Sequence, residues 1–469
     1  MRLRTAFLFP GQGAYLPGAL QHFPAAYPQV GDLMRQVDAV CAEYGHRPVS
    51  EMLLDLAAPR IESLLADNPE VLHLCIFTAS LACAAVCEAE GVRPDLLVGH
   101  SFGEWAALTL AGVWTPTEAA RLICERDRVC RQNPPERGGL LAVALSSARA
   151  SRLASVVDDW SLNVAVVNGP GQSVLAGPDA ALEQAHAVAV ALGVQAVRIK
   201  AAYPYHSPWL RGVGEVFGGV MQHAPARVPR RRVYSPIAAG YLTTVEDVRR
   251  VGADHMVRPV DFLAALHRLQ RDGVSVFVEC GVKDIVTRLT VDVMPSVVTA
   301  APLARRGGPT AARAALAPLL AGHPHDGEQS RPVHSASTQQ PAVTSRSDTA
   351  PPAEAAPRDR TESTAPVQET GTGRVAEPLP ERAELVTALQ EHYAEHLGYP
   401  REVLTADADL EADLGIDSLR QTEMLTSLYG RYGLDVAKTP DPGRRATLTD
   451  IADHLLNMSR AASTTASAP

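Results

Sequence analysis

The chain is predicted to be an α/β protein joined by a disordered stretch to a small all-helical module. Three observations predict this: short apolar runs alternating with helix-forming segments up to residue 322, a break in composition at 323, and helical apolar periodicity that returns after 378. The runs Phe7-Leu8-Phe9, Leu96-Leu97-Val98, Val233-Tyr234-Ser235 and Val276-Phe277-Val278 are bounded by Gly, Pro or charge, as buried strands are. Helical stretches between them imply a mainly parallel sheet. Residues 138–200 have their own rhythm: a strand from Gly139 to Leu145, a helix over 148–157, strands at 162–167 and 173–176, a helix over 179–192 and a strand at 194–199. That β-α-β-β-α-β order is the ferredoxin-like unit, expected as a small insertion facing a cleft.

Residues 323–378 are rich in Pro, Ala, Ser, Thr and charge and nearly free of large apolar side chains. Such a segment buries too little surface to offset chain entropy and is read as a linker. Over 379–462 an amphipathic helix carries Leu385, Val386, Leu389, Tyr393 and Leu397, a second helix follows Asp417, and a third runs from Leu448 to Met458. This is a helical bundle; residues 463–469 read as a tail.

At roughly 150 residues per domain, 469 residues suggest two to four domains. A net charge of -9, from 43 basic against 52 acidic residues, argues against nucleic acid or an anionic membrane as partner. The seven cysteines, at 41, 75, 83, 87, 124, 130 and 280, form no C-x-x-C pair and no zinc-like spacing. They read as reduced, buried thiols of a cytoplasmic protein, with no metal site expected. Met1 to Thr5 leads straight into a strand, leaving no room for a signal-peptide core. The longest apolar run, Val71 to Cys87, contains His73, Thr78 and Ser80 and reads as a buried helix rather than a membrane span.

Chemistry concentrates at Gly99-His100-Ser101-Phe102-Gly103, set between the apolar run Leu96-Leu97-Val98 and the helix-forming Glu104 to Leu110. Strand, sharp turn and helix around G-x-S-x-G make a nucleophile elbow. The glycines are expected to permit a strained turn and leave room around the serine, and the helix aims its positive end at an oxyanion. Pro10-Gly11-Gln12-Gly13, Asn168-Gly169-Pro170-Gly171-Gln172 and Tyr203-Pro204-Tyr205-His206-Ser207-Pro208-Trp209 each read singly as a turn.

In this order and spacing, however, the segments resemble the malonyl-CoA:acyl carrier protein transacylase family, which includes the acyltransferase domains of polyketide synthases. The resemblance covers residues 4–322. It implies an α/β-hydrolase-like large subdomain with an inserted ferredoxin-like small one. It further implies Ser101 as nucleophile, His206 as its general base, and the backbone N–H groups of Gln12 and Phe102 as the oxyanion hole. Asn168 aligns with an asparagine near the site. The family orients its histidine through a carbonyl ahead of a Pro-Val segment, a place that falls here at His255. Arg126 falls where a guanidinium pairs the acyl carboxylate, which would select malonyl-type groups; Arg121, Arg126, Arg128 and Arg131 also fit a solvated basic helix face. His73 stands in place of a glutamine. Tyr203-Pro204-Tyr205 matches neither the malonyl nor the methylmalonyl signature, and Arg258 and Asp261 replace commoner residues around Pro259-Val260.

Asp413-Leu414-Gly415-Ile416-Asp417-Ser418-Leu419 opens a helix, with Asp417 or Ser418 as N-cap. The segment resembles the acyl carrier protein family. That resemblance implies a four-helix carrier and Ser418 as attachment point for a covalent 4'-phosphopantetheine, installed by a phosphopantetheinyl transferase. The linker, as a coil, spans roughly 40 Å r.m.s.. Tethering at about millimolar effective concentration favours loading in cis. Arg230-Arg231-Arg232 reads either as a dock for the carrier's Glu411 and Asp413 or as a solvated strand start.

The chain is therefore expected to move a malonyl-type group from malonyl-CoA or a related coenzyme A thioester, through acyl-Ser101, to the thiol on Ser418 or on other carrier proteins. It would serve ketosynthase or other synthase chains in polyketide or fatty-acid-type biosynthesis. One alternative, motivated by Tyr203-Pro204-Tyr205, is a carrier-to-carrier transferase or an editing hydrolase. Another is a non-catalytic carrier and docking protein, against which the intact Ser101 and His206 argue.

Overall fold

The computed structural model describes residues 4–321 other than 136, 158, 200 and 306, together with 379–397, 401, 404–410, 416, 418–434 and 447–465. The expected linker at 323–378 lies outside the described residues. Within them the strands are β1 (Arg4–Phe9), β2 (Leu96–Gly99), β3 (Gly138–Val143), β4 (Asn163–Gly169), β5 (Gln172–Pro178), β6 (Ala196–Ile199), β7 (Val233–Ser235), β8 (Gly240–Leu242), β9 (Val260–Asp261), β10 (Val274–Glu279) and β11 (Val298–Ala300).

The larger sheet has the order β11-β10-β1-β2-β7-β8. Its pairings are parallel except for the β7–β8 hairpin. Side chains alternate across it as a pleated strand demands: Phe7 and Phe9 of β1 enter one core, Ala6 and Leu8 the other. Strands buried on both faces read as short continuous apolar runs, which is why their positions are visible in the sequence. The helix Pro69–Ala89 is apolar and long enough to cross a membrane by composition, yet 94% of its most apolar window is buried inside the protein. All seven cysteines are free and buried.

The smaller sheet has the order β6-β3-β5-β4-β9. Its first four strands, with helices Ser147–Val157 and Asp179–Ala191, form the ferredoxin-like unit. The fifth comes from outside it: β9 joins in parallel, Val166 opposite Val260. This two-residue strand matters for the site, because it fixes the chain just after Pro259.

The C-terminal helices are Arg382–Leu397, Ser418–Tyr432 and Leu448–Thr465. They close on Leu385, Leu389, Tyr393, Ile416, Met424, Leu428, Ile451 and Leu455, with Leu425 packed at the margin. The last helix corrects the expected tail. It continues past Met458 to Thr465, because Ser459 to Thr465 contains neither Gly nor Pro to stop it.

Candidate active site

Ser101 and His206 both sit on left-handed backbone. Ser101 has φ 54° and His206 has φ 63°, a region that costs a non-glycine residue about 1–2 kcal/mol. For Ser101 the cause is the elbow: β2 ends at Gly99, a short 3-10 turn spans Ser101–Gly103, and the helix Glu104–Leu110 follows. The flanking glycines are needed for space. A Cβ on Gly99 would lie 2.2 Å from the Glu104 nitrogen, and one on Gly103 would lie 1.9 Å from the Phe9 carbonyl oxygen. Gly103 itself has φ -60°, which any residue adopts, so the strain falls on the serine alone. The predicted role of the glycines is thus half corrected: they make room, and do not supply the strained turn.

Ser101 Oγ lies 2.6 Å from His206 Nε2. His206 Nδ1–H donates to the Arg258 carbonyl, 2.9 Å away, and its backbone N–H donates to Met256 at 2.7 Å. Asn163 Nδ2–H donates to the carbonyl of His206 itself at 3.0 Å. The orienting carbonyl is therefore Arg258, not His255. His255 caps the helix Val245–Asp254 with φ -53° and ψ -34°, so its own carbonyl stays inside the helical turn. Pro259 keeps Arg258 out of the helical region, and this frees the Arg258 carbonyl to face the imidazole. His255 supports the site differently: its Nε2–H donates to the Ser101 carbonyl at 3.1 Å.

Burial pushes the imidazoles toward neutrality. His206 falls to about 4 against the pull of the Arg258 carbonyl, and His255 falls well below its ordinary value. A neutral His206 with its proton on Nδ1 presents the Nε2 lone pair to Ser101. Asn168 reaches the site through a neighbour: its Oδ1 accepts from His100 Nε2 at 2.8 Å, and its Nδ2 donates to Gln172 at 2.8 Å. Gly11 brings the Pro10–Gly13 loop against the elbow, since a Cβ there would lie 3.3 Å from Ser101 Cβ and 3.5 Å from the Phe102 nitrogen. The loop carrying Gln12 and the amide of Phe102 thus flank Ser101 together.

Arg126 lies in the helix Pro116–Gln132 and is only 1% exposed, which separates it from a solvated basic face. Its guanidinium carbon lies 4.9 Å from the ring centroid of Phe102 and 5.6 Å from that of Tyr205. One ring follows Ser101 in sequence and the other precedes His206. Arg230, Arg231 and Arg232 fit the simpler of their two readings. Arg231 pairs with Glu88, Arg232 stacks 4.7 Å over Tyr241, and the Arg230 amide donates to Ala111; Glu411 and Asp413 lie outside the described residues. Ser418 is the first residue of its helix, and Asp417 lies outside the described residues.

The roles of Asn163, of the Arg258 carbonyl and of Asp127, which bonds Arg126, escaped the sequence reading. Asn163 and the Arg258 carbonyl act through long-range register, which no local pattern reports. Asp127 was visible beside Arg126, but adjacent helical residues ordinarily point apart.

The whole arrangement matches proteins of known class. Residues 6–323 match the family model described as acyl transferase domain, and residues 387–441 match that described as phosphopantetheine attachment site. The chain belongs to the acyl transferase domain family and carries a phosphopantetheine-binding module after it. It is 30% identical over 284 residues to erythronolide synthase EryA2 of Saccharopolyspora erythraea, using 61% of this chain and 8% of that one. It is 26% identical over 290 residues to the malonyl CoA-acyl carrier protein transacylase of Bacillus subtilis, covering 61% of this chain and 70% of that protein. Among solved structures, the acyltransferase domain from the second module of the salinomycin polyketide synthase superposes with a TM-score of 0.60 at 29% identity, covering 68% of this chain and 73% of that one. The Coxiella burnetii malonyl CoA-acyl carrier protein transacylase gives 0.61 at 23% identity, covering 68% and 98%. The chain spans only a small part of the polyketide synthases it matches.

Proposed function

We propose that residues 1–322 form a malonyl-type acyltransferase that loads, in cis, the carrier module at 379–462 across the 323–378 linker, in the cytoplasm. The loaded carrier then serves ketosynthase or other synthase chains. The observation that carries this reading is the 2.6 Å Ser101–His206 contact, with the imidazole held by the Arg258 carbonyl.

His206 Nε2 takes the Ser101 proton as Oγ attacks the thioester carbonyl of an acyl-coenzyme A, forming one C–O bond. The Phe102 and Gln12 amides receive the oxyanion. The C–S bond breaks, His206 returns the proton to the departing thiolate, and acyl-Ser101 remains. The Arg258 carbonyl holds the tautomer and stabilises the transient imidazolium, the part a carboxylate plays in other triads. Arg126 faces the acyl group from between Phe102 and Tyr205.

For the carrier, Ser418 would hold the phosphopantetheine, and the residues fit. A serine begins a 15-residue helix, where unpaired amides and the helix dipole favour a phosphodiester. When bound, the arm would supply a thiol able to carry an acyl group as a thioester. In that half-reaction His206 accepts the incoming thiol proton and passes it to Ser101 Oγ as the ester opens.

The test is the intact mass of the phosphopantetheinylated protein after brief incubation with malonyl-CoA, methylmalonyl-CoA and acetyl-CoA together, followed by fragment mapping. A malonyl increment on the Ser418 arm, lost in Ser101→Ala, is expected. Label from none of the three donors sinks the coenzyme A reading and turns attention to carrier-bound donors.

A further inference from the structure

The guanidinium expected to receive an acyl carboxylate already has one. Asp127 Oδ1 accepts from Arg126 Nε at 3.0 Å and from Nη2 at 2.8 Å. Asp127 Oδ2 lies 2.7 Å from His73 Nδ1, and the same Nδ1 lies 2.9 Å from Arg126 Nη2. All three residues are at most 3% exposed. Asp127 therefore fills the side-on edge of the fork, and His73 stands on the remaining Nη2 hydrogen. Only Nη1 makes no hydrogen bond among the described residues.

His73 Nδ1 cannot serve both neighbours at once. A proton on it satisfies Asp127 but faces an Arg126 N–H; a lone pair there satisfies Arg126 but faces a carboxylate oxygen. With neutral His73 the cluster carries no net charge: one guanidinium, one carboxylate. A second carboxylate entering this dry pocket has no uncompensated positive charge to meet, and it meets Asp127 as a like charge.

We propose that Asp127, gripped by His73, sets the acyl selectivity of this site: by compensating Arg126 from inside the protein, it lowers the advantage of a carboxylate-bearing acyl group over an uncharged one. This rests on the reading of the site as a malonyl-type acyltransferase. The groups facing His73 are Arg126 and Asp127 from the helix Pro116–Gln132, the stacked ring of Phe102 at 5.0 Å, and Tyr205 at 6.3 Å. The imidazoles of His206 and His255 stand beyond them, and on its own helix Glu70 is paired to Arg131. Burial alone would raise Asp127, but Arg126 and His73 hold it down at about 2. The carboxylate thus stays ionised beside the guanidinium.

The experiment measures Ser101 acylation kcat/KM for malonyl-CoA and acetyl-CoA at pH 8, in the full chain and in Asp127→Asn and Asp127→Ser. Loss of the internal carboxylate leaves the Arg126 charge uncompensated, and the malonyl/acetyl ratio is expected to rise at least tenfold in both variants. An unchanged ratio overturns the proposal while leaving the malonyl reading intact. Acylation by acetyl-CoA with no malonyl acylation in any of the three proteins overturns the malonyl reading and this proposal with it. Because the ratio compares two donors on one protein, an unfolded fraction cancels from it, and a poorly folded variant does not protect the idea.

Discussion

Replacing Gly103 by alanine tests the physical reason for the elbow's last glycine. Its backbone, φ -60° and ψ -14°, is helical. On conformation alone alanine would stabilise the protein by about 0.4–1 kcal/mol through the unfolded chain. The structure predicts the opposite. The new Cβ would lie 1.9 Å from the Phe9 oxygen and 2.5 Å from the Phe9 carbonyl carbon, both short of the 3.0 Å below which real Cβ contacts essentially never fall, the first by more than 1 Å. Both atoms are backbone of the central strand, so no rotamer change relieves the contact. Overpacking of this kind costs about 1–3 kcal/mol. The displacement it forces, about 1 Å between the Pro10–Gly13 loop and Ser101, costs on the order of 100-fold in rate. Thermal unfolding and quenched-flow acylation of Ser101 followed by mass spectrometry measure the two effects. Gly103→Ala should lose several degrees of Tm and about 100-fold in acylation. Gly171→Ala, where a Cβ meets nothing within 4 Å, should lose neither. A Gly103→Ala protein with undiminished Tm and acylation within twofold of wild type refutes the steric account.

Acylation by an uncharged donor should persist well into acid, because burial lowers His206 to about 4. The rate falls only as pH drops through that value, and an acid limb centred near 6.5 counts against the buried, neutral imidazole. Asn163→Ala removes the 3.0 Å bond to the His206 carbonyl. At about 1 kcal/mol it should lower kcat about fivefold with KM little changed; a pure KM effect contradicts a positioning role. Glu104 is raised from 4.5 to about 8 by burial, against the hydrogen bonds of Ser235 and Ile237. The unfolded chain ionises first, so stability is full below about 4.5 and is lost progressively as pH rises to about 8. Glu104→Gln should flatten that slope in denaturant titrations between pH 5 and 8.5, and an unchanged slope assigns it to another group.

Local signals carried most of what the sequence made visible. The β1, β2, β7 and β10 runs, the ferredoxin-like order and the elbow depend on spacing within a few residues, and a pattern of hydrophobicity records that directly. What stayed hidden was decided by register between distant segments. The carbonyl that orients His206 is chosen by Pro259 and by β9 joining β4, 94 positions back from Val260 to Val166. The grip of Asp127 on Arg126 was hidden for another reason: neighbours on a helix diverge unless burial folds the long side chain back. Burial at 1% and two aromatic faces do that here.

The two left-handed residues of the site explain why widely separated turns belong to one device. Ser101 and His206 each hold a conformation that relaxes by about 1–2 kcal/mol if released, and relaxation of either would break the 2.6 Å contact between them. Each is over-determined from elsewhere. Ser101 is fixed by the close approach of Gly103 to Phe9, by the Gly11 loop, and by His255 on its carbonyl. His206 is fixed by Met256, Arg258 and Asn163, three restraints on one residue from two further segments. Strain that needs so many independent restraints is kept only where the strained geometry is itself required. The proximity of Ser101 and His206 is therefore a property of the whole domain, and loosening any one restraint should reduce acylation before it reduces folding.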